Sequence, residues 1–186
     1  MVDQILDAGY SRNRMSAIKY AYKYYDIKLD HDKYPYLEFD CTNFASQILK
    51  SGRLDEDNNW WYKGFERLFL WRISVDASDS WLIVGEFLDS LTKNKGFIDT
   101  IVNSREEIHR CVVSGKVQPG DIVIMGNTHS SFVSAVDKRR GKLYYAAHTD
   151  SRLNKDLDLV YEDGDYAEYD VNMHIIHTIY PDEVRR

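Results

Sequence analysis

Residues Pro119 to Val136 read PGDIVIMGNTHSSFVSAV. The run Ile122 to Met125 is apolar and too short for a helix. His129 to Val136 mixes apolar with small residues. Both read as strands bounded by turn residues. Downstream, Leu143 to His148 is a third candidate, and Arg139-Arg140-Gly141 supplies a hairpin turn between the last two. Tyr166 to Tyr180 adds one or two strands.

Upstream of Gly120 the spacing is helical. Met15, Ile18, Ala21 or Tyr22, and Tyr25 recur along one helix. An irregular run, His31 to Phe39, precedes FDCTNFASQILKSG, Phe39 to Gly52. There Phe44, Ala45, Ile48 and Leu49 form a stripe, and Gly52 is a stop signal. Asp55 to Ser78 is acidic, then aromatic, without clear period. Asp79 or Ser80 caps a helix to Leu91, with Val84, Phe87, Leu88 and Leu91 inward. Ser104 and Glu107 make a capping box before a helix ending near Gly115. Helices first and strands after predict an α+β fold, with a helical N-terminal half packed on an antiparallel sheet built from Asp121 onward.

The chain has 186 residues and reads as a single domain over 1–186. Its net charge is -6, and Arg139-Arg140 and the C-terminal arginine pair are too short to track a phosphate backbone, so no nucleic-acid partner is expected. No segment reaches the ~18 consecutive apolar residues of a membrane helix. The N-terminal MVDQILDAGYSRNR has no signal-peptide apolar region, so the expectation is a cytoplasmic protein or an exported one whose signal has been removed. Two cysteines make no disulfide framework. No metal-ligand spacing appears, and no cofactor is expected.

Cys41 stands at the expected helix start, between Asp40 and Thr42. A free thiol ionises near about 8.5, and the unpaired N–H groups of a helix N-terminus favour the thiolate. Such a nucleophile needs a base. His129 opens one strand and His148 ends the next. If the hairpin turns on Arg140-Gly141 or on Lys138 to Gly141, both rings leave one sheet face, whereas a one-residue slip sends them to opposite faces. Asp150 and Asn43 compete with His148 to orient the base. His31, His109, His174 and His177 fit less well. Cys111 follows Ile108 on a helical stripe and reads as core. Asp40 reads as a helix cap with a minor electrostatic role. Trp60 and Trp61, in a polar run, are candidates to line a cleft.

These pieces resemble, in order, the family named "putative amidase domain", a branch of the papain-like, NlpC-type cysteine peptidases and amidases of bacteria. The matching elements are YSRNRMSAIKYAYKY (Tyr10 to Tyr24), DCTNFASQ (Asp40 to Gln47), SDSW (Ser78 to Trp81), PGDIVIM, HSSFVSAV and LYYAAHTDSR (Leu143 to Arg152). The resemblance spans about Tyr10 to His177. It implies an amidase or peptidase with Cys41 as nucleophile, His129 as base and His148 as the third, polar member. The substrate would be a peptide or small amide, and Asp40, Asn43, Trp60, Trp61 and Trp81 are expected at its binding site. Acyl transfer on the same triad, and a catalytically inactive binding module, are the alternatives.

Overall fold

The computed structural model describes residues 9–26, 33–69, 72–126, 128–161 and 172–184. His31, Trp71, Tyr166 and the C-terminal arginine pair lie outside them. The chain is mixed α+β, and its sheets are antiparallel.

Helix α1 spans Arg12–Tyr24 and starts on Ser11, whose hydroxyl accepts from Arg14 N. Its buried face is Arg14, Ala17, Ile18 and Ala21, one helical stripe offset from the expected one. Helix α2 spans Cys41–Ser51 and ends at Gly52. The aromatic run of unclear period is a hairpin, β1 (Tyr62–Phe69) with β2 (Arg72–Ala77). Its period is two. Phe65, Ile73 and Val75 are half-buried, while Glu66, Ser74 and Asp76 are exposed.

The helix expected to run to Leu91 is broken. Asp79–Leu82 (α3) and Val84–Asp89 (α4) flank Ile83, which is extended at φ -107, ψ 127, and a wide turn covers Ser90–Asn94. Phe87 and Leu91 are still fully buried. Besides β1 and β2, which already depart from the expected helical N-terminal half, a further strand upstream of Asp121, β3 (Ile98–Val102), follows. Helix α5 (Arg105–Val113) begins on Ser104, whose hydroxyl accepts from Glu107 N, but the Glu107 carboxylate takes Asn103 N rather than the cap's own N–H.

The remaining strands are β4 (Ile122–Met125), β5 (His129–Asp137), β6 (Lys142–Ala147), β7 (Arg152–Asp156) and β8 (Met173–His177). Their six-stranded order is β3-β8-β4-β5-β6-β7. The sheet therefore takes one edge strand from upstream of Asp121, where it was expected to begin.

Both sheet faces are covered. Ile122, Ile124, Phe132, Ala146 and Ile176 pack with Ala17, Ile18, Phe44 and Ile48 of α1 and α2. Val123, Met125, Val133, Tyr145 and Ile175 pack with Ile108, Cys111 and Val112 of α5. Burial on both sides explains why β4 reads as a continuous apolar run instead of an alternating one. Each large side chain so buried, such as Phe44 or Phe132, contributes on the order of 1.5–3 kcal/mol.

The β5–β6 hairpin carries the feature that decides the site. Near the turn the register is one of the two expected, with Asp137 opposite Lys142, Val136 opposite Leu143 and Ala135 opposite Tyr144. A bulge then inserts Ser134, and beyond it Val133 faces Tyr145 and Phe132 faces Ala146. Continued two residues on, this pairing sets His148 opposite Ser130. The expectation that His129 and His148 share a face is thereby reversed. His129 pairs with Met125 and leaves with it toward α5, while Ser130 and His148 leave toward α2.

Candidate active site

Cys41 is the first residue of α2 and is 7% exposed. The N–H groups of this first turn have no intrahelical acceptor and point at whatever sits before the helix. The Cys41 sulfur lies 3.8 Å from Thr42 Oγ1, which is 3.2 Å from Ser130 Oγ. That hydroxyl pair seats the helix start beside the start of β5, one residue on from both Cys41 and His129.

Asp40 occupies the cap position but makes no capping bond. Its carboxylate is spent elsewhere. Oδ1 accepts from Leu37 N at 3.1 Å and from Asn43 Nδ2 at 2.7 Å, and Oδ2 is 2.6 Å from His148 Nδ1. The His148 ring stacks on Phe44, with centroids 3.6 Å apart and planes 4° from parallel. Its Nε2 is 2.7 Å from the Tyr24 carbonyl at the end of α1. A carboxylate and a carbonyl both accept, so both contacts are met only when both ring nitrogens donate. Thr149 then takes a left-handed conformation, φ 84, which turns the chain away after His148.

His129 is 7% exposed on the other face. Burial, reinforced by the nearby Arg152 guanidinium, lowers its pKa to about 4, so near neutral pH the ring is an uncharged base. Arg152 donates to the Tyr145 hydroxyl at 2.8 Å and to Asp150 at 3.3 Å. Asp150, the competitor of His148 for orienting His129, bonds Arg152 at the surface, and its charge acts on the His129 ring against that of Arg152.

The expected substrate residues sit differently. Asp40, Asn43, Trp60 and Trp81 are buried, and their polar atoms bond to protein groups, so they stand behind the site and offer no face to a ligand. Trp81 Nε1 donates to Asn43 Oδ1 at 2.9 Å, and Trp60 Nε1 donates to Ser46 Oγ at 3.1 Å. The two indoles stack at 4.9 Å. Trp61 alone of the five is partly open, with Lys63 Nζ over its ring. Ser46, Thr42, Ser130 and the Tyr24 carbonyl are contributors that sequence reasoning did not find. For Ser46 a signal existed, since it lies three residues after Asn43 on one side of the helix. Cys111 lies in the second core cluster, and burial raises its thiol pKa. Among the described residues no group of three or more His, Cys, Asp or Glu is arranged to hold a metal ion. Nor is any described helix long and apolar enough to cross a membrane.

The site therefore combines a thiol at a helix start with a buried carboxylate–imidazole pair beside it, while the uncharged imidazole that opens the adjoining strand lies on the opposite face of the sheet. A family model described as "Putative amidase domain" matches residues 11–171, which points to action on amide bonds. No curated protein and no solved structure matches the chain.

Proposed function

The chain belongs to the putative amidase domain family, and from that premise we propose that it is a cysteine-dependent amide hydrolase with a papain-like, NlpC-type arrangement. The carrying observation is Cys41 at the first residue of α2, joined to the start of β5 through Thr42 and Ser130. The Cys41 thiolate attacks the substrate carbonyl, and the oxyanion meets the free N–H groups of the helix start. His129, kept uncharged by burial, takes the thiol proton and returns it to the leaving amine as the C–N bond breaks. Water then hydrolyses the thioester. His148, held by Asp40, is the third, polar member. In this reading the first residue of β5 must turn its ring round the strand end to meet the sulfur. Peptides, cell-wall-type peptides among them, are the proposed substrates.

The bulge at Ser134 favours a second reading of the base. It puts His148 on the face of Cys41, with Asp40 orienting the ring as in a Cys-His-Asp set. Nε2 would then leave the Tyr24 carbonyl to reach the thiol.

Amine release from a peptide-amide library, followed with an amine-reactive dye, tests both. Loss in Cys41→Ala and retention in Cys111→Ala supports the cysteine mechanism; full activity in Cys41→Ala refutes it. A near-total loss in His129→Ala with residual activity in His148→Ala selects the first base, and the converse selects the second. Added amine acceptors that divert the acyl group would identify a transferase.

A further inference from the structure

The Asp40–His148 pair has a second tier of support. Asn43 donates from Nδ2 to Asp40 Oδ1 and to the Pro35 carbonyl, at 2.7 and 3.0 Å, and accepts on Oδ1 from the Trp81 indole. The orientation of this amide follows from chemistry alone. An indole N–H can only donate, so the atom facing it is the oxygen, and the NH₂ is left for the two acceptors. Asn43 and Trp81 are both 0% exposed. The chain of contacts runs Trp81, Asn43, Asp40, His148, and every link is between side chains.

The arrangement also answers an electrostatic problem. Asp40 precedes the nucleophile, and a carboxylate beside a forming thiolate opposes it. Donors on both carboxylate oxygens, with His148 on one of them, draw that charge away from Cys41.

We propose that Asn43 and Trp81 are positioning residues, in which the Trp81 N–H fixes the Asn43 amide so that Asp40 presents Oδ2 to His148 and its charge is held off Cys41. The proposal rests on Cys41 being the nucleophile for its effect on reactivity, but not for its effect on His148. Neither residue touches substrate.

Trp81→Phe removes the N–H and keeps an aromatic ring. Trp60→Phe is the matched control, because its indole bonds to Ser46 one turn further along the same helix. In a Cys111→Ala background, three quantities are measured for each: the iodoacetamide rate at Cys41, the ¹⁵N shifts of the His148 ring, and Tm. Trp81→Phe is expected to slow alkylation about tenfold, the scale of one buried hydrogen bond lost, and to move the His148 shifts. Trp60→Phe is expected to lower Tm without moving either. Identical alkylation rates and His148 shifts in the two variants would reduce Trp81 to a packing residue and overturn the proposal. Asn43→Ala repeats the test one link nearer. If Cys41→Ala kept amidase activity, the functional reading would fall, and the His148 shifts would still decide this one.

Discussion

Asp40 Oδ2 lies 2.6 Å from His148 Nδ1, across 108 residues of sequence, with both side chains nearly inaccessible. A buried pair of this kind couples the helix that carries the thiol to the strand that ends the hairpin. Removing one partner strands the other in a low-dielectric setting, which costs more than the pair's net contribution.

Asp40→Asn and His148→Gln, singly and together, should form a non-additive cycle. A coupling of about 1–3 kcal/mol in urea unfolding is expected. Additivity within about 0.5 kcal/mol would mean the contact contributes nothing specific.

Stability should depend on pH through His129. Its folded pKa is about 4, against 6.5 for an ordinary imidazole. Above about pH 6.5 both states hold the neutral ring. Between about 6.5 and 4 the unfolded chain binds a proton that the folded one refuses, so stability falls as pH falls, by about 3 kcal/mol in all. His177 acts in the opposite sense. Its hydrogen bond to Asp121 raises its pKa, and the stability it adds at low pH is lost as pH rises through that value. Urea melts from pH 7 to 4.5 should show a shallower slope in His129→Gln than in the parent; equal slopes would contradict the burial argument.

Arg14 is fully buried and binds Asp121 at 3.0 Å, Glu183 at 2.7 Å, and the carbonyls of Pro119 and Thr178. Arg14→Leu leaves the Asp121 carboxylate buried without its guanidinium and should cost about 3–5 kcal/mol. Adding Asp121→Asn should recover part of this. A thermal shift in Arg14→Leu no larger than that of an exposed substitution would show the network to be dispensable.

Gly120→Ala should be worse than Gly115→Ala, although both glycines have positive φ, 102 and 74. A Cβ on Gly120 would meet Arg14 Nη1 at 2.7 Å, whereas on Gly115 the nearest atom is Lys138 Nζ at 3.5 Å. The Gly115 change should cost about 1 kcal/mol of backbone strain, and the Gly120 change at least about 1 kcal/mol more. Equal midpoints in urea would argue that Arg14 moves aside freely.

Much of the frame was legible in the residues. The helix carrying Cys41 had a stripe, a stop at Gly52 and no competing signal, and it forms over Cys41–Ser51. The turn at Arg139 to Gly141 forms with Gly141 at φ 65. What escaped depended on distant partners. Ile98–Val102 becomes a strand because β8 pairs with it from more than 70 residues away, and nothing in its own pattern outweighs a short apolar linker. Asp40 looked like a cap because a cap is the local use of an aspartate before a helix, while its real partner enters from the end of the hairpin. The bulge is harder still. Val133-Ser134-Ala135 contains no glycine or proline to announce it, yet one added residue there exchanges the faces of everything beyond it.

The Arg14 network also ties distant parts of the sequence to one helix. The side chain of Arg14 and the backbone of Asn13 reach across 169 residues to Glu183 and Asp182. Helix α1 is therefore fastened by residues 169 positions further along the sequence. The far end of that same helix supplies the Tyr24 carbonyl to His148. The imidazole beside the thiol helix thus shares its anchor, α1, with residues 178–183, so loosening that distant segment would be felt at His148 through Tyr24.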